Sequence, residues 1–179
     1  CRVDILDRDL ERLRRVDHHF RGALETVASS THAVEEACLT ADIVIGAVLV
    51  VGARTPVLVT DELVARMRPG SVLVDISVDQ GGCFESSHPT THSHPTFTVG
   101  DALFYCVANM PGAVPHTSTQ ALVNATVAYT MEIAGLGWRE AARRDESLAR
   151  GVNVVAGAVT AEPVAAAHGL TFVPLSSVW

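Results

Sequence analysis

Apolar runs of strand length alternate with amphipathic stretches of helix length over roughly the first 107 residues, and this alternation limits the possible folds more than any other feature. Val3, Ile5 and Leu6 read as a short strand ending at Asp7. Leu10, Leu13, Val16 or Asp17, and Phe20 then recur at helical spacing, with Glu11 and Arg15 as an i,i+4 pair. Residues 23–28 suit a second strand, and Ser30 or Thr31 can cap a helix over 33–40. DIVIGAV, residues 42–48, is an almost wholly apolar strand. Thr60 caps a further helix with Asp61 and Glu62 in its first turn, closed by Pro69-Gly70. SVLVDISVDQGGCFE follows, then a loop rich in Gly, Ser, His and Pro over 80–95, and short strands near 96–99 and 103–107. Buried strands separated by helices predict an α/β fold: a doubly wound, Rossmann-type parallel sheet covered on both faces, with ligands beyond the carboxyl ends of its strands.

The pattern changes near residue 115. Residues 117–136 read as one long helix, Gly137 breaks it, and 138–150 reads as another. NVVAGAV and TAEPVAAAHGL follow. The expected division is a nucleotide-binding domain over 1–115 and a helical segment over 116–179 that packs against something outside this sequence. Cys1 already lies inside a strand pattern, so the chain reads as the second half of a longer one.

Composition excludes several classes of function. A net charge of −7 with no basic cluster argues against nucleic acid or an anionic membrane as partner. No apolar run approaches the ~20 residues of a membrane helix. Cys1, Cys38, Cys83 and Cys106 are scattered and form no CxxC, which suits free thiols in a reducing cytoplasm. His88, His92 and His94 lie close together, but their spacing fits no zinc pattern and Glu85 is the only obvious further ligand, so no metal site is expected.

Three places carry candidate chemistry. Asp7 ends a strand, where a carboxylate can accept the adenosine ribose hydroxyls of a dinucleotide; Asp7 or Asp9 can equally cap the next helix. The glycine loop that normally lies about 20 residues before such an acid has no room here. In the SVLVDISVDQGGCFE run, Asp75 interrupts the apolar residues and Asp79 closes them ahead of Gly81 and Gly82. Asp79 is the candidate for assisting proton movement or stabilising charge during hydride transfer; alternatively, it is a turn residue. VANMPGAVP, 107–115, places Asn109 at a strand end before two prolines, where it can hold a carboxamide, or it is a plain Pro/Gly connection.

VDILDRDLERLR, ADIVIGAVLVVGARTPVLVT, MRPGSVLVDISVDQGGCFE, HPTFTV and VANMPGAVPHTSTQALVNAT together resemble the alanine dehydrogenase and pyridine nucleotide transhydrogenase family. DQGG at 79–82 and NMPGAVP at 109–115 resemble its dehydrogenase branch. The resemblance implies NAD as cofactor and reversible oxidative deamination of L-alanine to pyruvate and ammonia. It implies that Asp7 binds the adenosine ribose with Arg12 beside it, and that Ser29 lies near the adenine. Val48 and Leu49 then line the dinucleotide. Ile76, Ser77, Val78 and Asp79, with Val107, Ala108, Asn109 and Met110, flank the nicotinamide, and Asp79 is the catalytic candidate. It further implies a homo-hexamer, and a tail after residue 115 that returns to the substrate domain. The family's substrate-binding Arg and Lys and its catalytic His belong to the amino-terminal half, so this chain alone is expected to be inactive. His116, His88 and Arg8 depart from the family's usual residues at their positions. The competing readings are the NAD-binding domain of a transhydrogenase and a non-catalytic pseudogene remnant.

Overall fold

A computed structural model of the chain describes residues 1–178; Trp179, the end of the expected carboxy-terminal segment, lies outside them. The chain divides into two compact units, one of residues 1–49 and 55–108, the other of residues 50–54 and 109–179.

The first unit is α/β with mainly parallel pairing. Strand β1 (Asp4–Asp7) leads into α1 (Leu10–Phe20), β2 (Glu25–Ala28), α2 (Thr31–Thr40) and β3 (Ile43–Gly46). Next come the short α3 (Asp61–Val64), β4 (Val72–Asp75), β5 (Thr96–Val99) and β6 (Ala102–Tyr105). Among the described residues the strands form two sheets in this unit. β1 and β2 pair in parallel, and a four-stranded sheet runs β3-β4-β6-β5, parallel except where β5 meets β6. The antiparallel hairpin follows from its connection, since Gly100 at φ 57 allows a tight turn that a parallel crossover could not use.

Polar caps set the helix starts. The Asp9 carboxylate accepts from the N–H groups of Glu11 and Arg12, so Asp9 is the cap of α1 and Asp7 is not. Ser30 caps α2 by accepting from the N–H of Ala33, and Thr60 caps α3 by accepting from that of Leu63. The helix expected to run from Thr60 towards Pro69 ends at Val64. Beyond it the N–H of Arg66 bonds to Leu63 and that of Met67 to Val64, the tighter i,i+3 pattern, as the backbone approaches a proline that disfavours helix before it. On α1, Glu11 pairs with Arg14 rather than Arg15.

The register assigns the faces of the four-stranded sheet. Val44, Leu73 and Phe104 lie in one row, facing a core built with Cys38, Leu63, Val64, Met67 and Phe84. Phe104 meets Phe84 edge-on at 5.9 Å and stacks on Phe97 at 5.1 Å. The opposite rows carry Ile43, Val72 and Leu103, then Ile45, Val74 and Tyr105. Ile43 is 61% exposed and Ile45 62%. The expectation of a sheet covered on both faces therefore holds for one face of the described chain.

The second unit begins its helical part with α4 (Pro115–Leu136), whose proline occupies the first turn, where no N–H is needed. The single helix expected over 138–150 is two helices, α5 (Trp138–Arg144) and α6 (Glu146–Arg150). Asp145 separates them. Its backbone is extended, at φ −121 and ψ 114, and its carboxylate accepts from the N–H groups of Ser147 and Leu148. A short acid that can bond its own downstream backbone favours a cap over helix interior. The hairpin β7 (Val154–Val155) and β8 (Ala158–Val159) turns through Ala156 and Gly157, both at positive φ, as a tight hairpin turn demands. The last helix, α7 (Glu162–His168), stops at Gly169 in the left-handed region.

Candidate active site

β3, β4 and β6 are parallel neighbours, so their carboxyl ends share one edge of the sheet. Three groups of candidate residues gather there: Val48 and Leu49 after β3, Ile76 to Asp79 after β4, and Val107 with Ala108 after β6. The first two are stitched directly. The Ser77 hydroxyl donates to the Val48 carbonyl at 2.8 Å, and the Ile76 N–H to that of Gly46 at 2.8 Å. The N–H of Thr55 bonds the carbonyl of Gln80 at 2.9 Å, and the N–H of Leu58 that of Cys83 at 2.8 Å.

The apolar run carries on towards Asp79, but the strand ends at Asp75. Val78 to Gln80 forms a 3-10 turn, with Asp79 exposed on it. Among the described residues nothing bonds the Asp79 carboxylate. The acid at the strand end is Asp75, fully buried. One of its oxygens accepts from the N–H of Ser77 at 2.8 Å; the other accepts from the N–H of Cys83 at 2.8 Å and the hydroxyl of Ser87 at 2.5 Å. A carboxylate in the core is costly unless its lone pairs are satisfied, and here these three donors converge on it together with the Cys83 thiol at 3.8 Å. Ser77, Cys83 and Ser87 escaped notice in the sequence as partners for Asp75. The available signal was an ionisable residue inside the buried run VLVDI, since such a residue requires nearby donors.

The two glycines after the turn differ. Gly81 is exposed at φ 99, whereas Gly82 is buried at φ 77. A Cβ on Gly82 would stand 2.4 Å from that of Ser87 and 2.8 Å from an Asp75 oxygen. Gly82 is therefore required by the packing inside the protein. Cys83 lies equally close to Gly46, where a Cβ would meet its sulfur at 2.2 Å. Burial pushes the Cys83 thiol up to about 12, helped by the neighbouring Asp75 charge, and burial likewise raises Cys38 to about 11 and raises Cys106. All four cysteines are free, and these three are buried and held as inert thiols.

A second cluster sits at the carboxyl ends of β1 and β2. The N–H of Ser29 bonds the Asp7 carbonyl at 2.9 Å, and Arg12 reaches the Asp7 carboxylate at 3.1 Å. The other Asp7 oxygen accepts from the N–H of Asp9 at 2.9 Å. That backbone bond, aided by the Arg12 charge, holds the Asp7 carboxyl below its ordinary value. Asn109 and Met110 fall in the second unit. Asn109 adopts the left-handed conformation at φ 56, just ahead of a 3-10 turn over Met110–Ala113. His88 is exposed, faces the Ser86 carbonyl at 3.0 Å and lies over Phe97 at 4.0 Å. Among the described residues no three His, Cys, Asp or Glu side chains are grouped to hold a metal ion.

Candidate groups beyond the carboxyl ends of parallel strands define the α/β class whose chemistry sits at the sheet edge. The chain belongs to the alanine dehydrogenase/PNT family: the description "Alanine dehydrogenase/PNT, C-terminal domain" matches residues 1–162. It is 53% identical to an alanine dehydrogenase of Mycobacterium tuberculosis over 176 residues, covering 98% of this chain and 47% of that protein. With the alanine dehydrogenase of Halomonas elongata the identity is 49%, over the same shares of both chains. A solved L-alanine dehydrogenase superposes with a TM-score of 0.80 at 44% identity, over 94% of this chain and 46% of the other. A transhydrogenase from Sinorhizobium meliloti superposes with a TM-score of 0.64 at 24% identity, covering 89% and 42%, a likeness of fold alone. The chain spans about half the length of the curated relatives it matches.

Proposed function

We propose that residues 1–115 form the NAD-binding domain, and 116–179 a returning segment of the substrate domain, of an NAD-dependent alanine dehydrogenase. The reaction is L-alanine, NAD+ and water giving pyruvate, ammonium, NADH and a proton, and it is reversible. The observation that carries this reading is the meeting of Val48, Leu49, Ile76 to Asp79, Val107 and Ala108 at one sheet edge, in a chain of this family.

The residues present fit part of NAD. Asp7 keeps lone pairs free and is held ionised, which suits the adenosine ribose hydroxyls, with Arg12 and Ser29 beside it. Val48 and Leu49 line the dinucleotide. Ile76 to Asp79, with Val107 and Ala108, flank the nicotinamide. No GxGxxG occurs in the 179 residues, so the pyrophosphate contacts are not assigned to this chain. NAD, when bound, supplies the hydride acceptor. The exposed carboxylate of Asp79 stabilises positive charge as it develops on the substrate nitrogen. Asn109 offers a donor and an acceptor to the carboxamide. A homo-hexamer and a cytoplasmic location belong to the same reading, the first supported by the family resemblance and the second by four free thiols. For the transhydrogenase reading the shared family description and a fold-level likeness speak.

The test is alanine-dependent NADH formation by the full-length protein and by its Asp79→Asn variant. The variant keeps the shape and loses the charge, so kcat should fall by about 100-fold or more while NADH affinity changes by less than about threefold. An unchanged kcat returns Asp79 to the part of a turn residue.

A further inference from the structure

We infer that Asp75 is a positioning residue, a buried clamp that sets where the Asp79 turn stands at the sheet edge. The inference deepens the proposed function and rests on it in one respect, that Asp79 works on the reaction.

The geometry is that of a loop gripped at both ends. Ser77 opens the turn and Cys83 follows it, and their two N–H groups bond the two oxygens of the same carboxylate, both at 2.8 Å. The Ser87 hydroxyl adds a third bond at 2.5 Å from the far side of the loop. Inside the grip the turn closes on itself: Gln80 and Gly82 donate their N–H groups to the Ser77 carbonyl, at 2.9 and 3.1 Å. Asp79 stands outside the grip, exposed and without a bond to its side chain among the described residues. The rigid part thus carries no chemistry, and the chemical group carries no structural duty.

The cost of the arrangement also points to a task. Asp75 occupies the core-facing row of β4, two residues after Leu73, and both are fully buried. An apolar residue there would extend the core without desolvating a charge. The fold does not depend on the clamp alone, because Gly46, Val48 and Thr55 hold the same loop through bonds to Ile76, Ser77 and Gln80. Loss of the clamp should therefore loosen the turn and leave the sheet standing. Asn at 75 would aim N–H groups at a donor, so Asp75→Asn is the informative change. Misplacement of a catalytic group by about 1 Å can cost about 100-fold in rate.

The experiment uses the full-length protein with Asp75→Asn, Asp79→Asn and the pair, read by NADH formation at saturating alanine and by NADH binding. Asp75→Asn should lower kcat by about 10- to 100-fold with NADH affinity within about threefold. In the Asp79→Asn background the same change should cost less than about twofold, because residues that act through one another are not additive. Losses that multiply, or a kcat within about twofold of the parent, overturn the clamp. If Asp75→Asn does not fold, Ser87→Ala removes one donor only and should still lower kcat by about fivefold while NADH binding stays; no loss overturns the inference. Amide hydrogen exchange gives a reading free of alanine. Exchange in Asp75→Asn should quicken over residues 76–83 and not over β3 and β6. Equal quickening across the sheet makes Asp75 a plain core residue. A parent protein that makes no NADH from alanine, yet shows the localised exchange, refutes the proposed function and keeps the clamp.

Discussion

In the proposed function, Asp7 and Arg12 set the cofactor preference through one contact. A carboxylate at the end of β1 repels a 2′-phosphate and accepts a free ribose hydroxyl, whereas a guanidinium favours phosphate. Here the Arg12 guanidinium is drawn to Asp7 at 3.1 Å, so the acid spends part of the arginine's charge. The full-length protein should therefore show a higher kcat/KM with NAD than with NADP, and Asp7→Ala should narrow the ratio by about tenfold or more; a native preference for NADP would mean that Arg8 and Arg12 prevail. The same carboxylate makes a pH prediction. Its folded pKa lies below its unfolded value, first through the N–H of Asp9 and then through Arg12. The stability it contributes is thus fully present above the ordinary carboxylate pKa of about 4 and disappears as pH falls through the folded value. Between pH 5 and 2, Tm should fall more steeply for the parent than for Asp7→Asn. Parallel curves would show that the bonds to Asp9 and Arg12 do not stabilise the fold.

Local chemistry that the sequence displays openly translated into elements without loss. Asp9, Ser30 and Thr60 each start a helix because a short polar side chain can satisfy an N–H that the first turn leaves unpaired. Strands β1, β3 and β4 follow the apolar runs because consecutive Val, Ile and Leu suit a strand packed between layers, although Ile43 and Ile45 of β3 stay exposed here. Three element boundaries were not legible, the first being the end of α3 at Val64 rather than near Pro69. The 138–150 stretch has unbroken helical spacing, and only the capping competence of Asp145, a tertiary-scale choice between interior and cap, splits it. The end of β4 was hidden because Ile76 and Val78 prolong the apolar run beyond Asp75, although the backbone has already turned. Asp79 could be read from DQGG, but the network of Asp75 with Ser77, Cys83 and Ser87 joins residues up to 12 positions apart, and no local pattern reports such a closure. Asp145 offers a direct measurement. Asp145→Ala removes the acceptor for two N–H groups of α6 and should destabilise the second unit by about 1 kcal/mol, read as a lower denaturant midpoint at constant slope. Asp145→Asn should recover most of it, since the amide oxygen can still cap; no difference between Ala and Asn would assign the break to packing.

For the whole molecule, the distribution of apolar surface is the governing fact. One face of the four-stranded sheet is closed by Leu73, Phe104 and their partners, while the other shows Ile43 at 61% and Ile45 at 62% exposure on β3. Helix α4 is 22 residues long and buries none of its side chains, with Leu122 at 64% and Met131 at 66% exposure. Exposed apolar side chains in such number favour association, because each exposed branched side chain forgoes about 1.5–3 kcal/mol of burial. The 179-residue chain, expressed as it stands, should enhance the fluorescence of an apolar dye and self-associate as its concentration rises. Replacing Ile43 and Ile45 together by Thr separates this surface from the core. Thr retains strand preference and sits on the exposed row, so Tm should stay within a few degrees while dye binding and the association constant both fall. The opposite row behaves differently, since Leu73→Ala removes a fully buried side chain and should cost about 2–5 kcal/mol. If the double Thr variant loses as much stability as Leu73→Ala, then Ile43 and Ile45 are covered in solution and the open face closes on the chain itself or on a second copy.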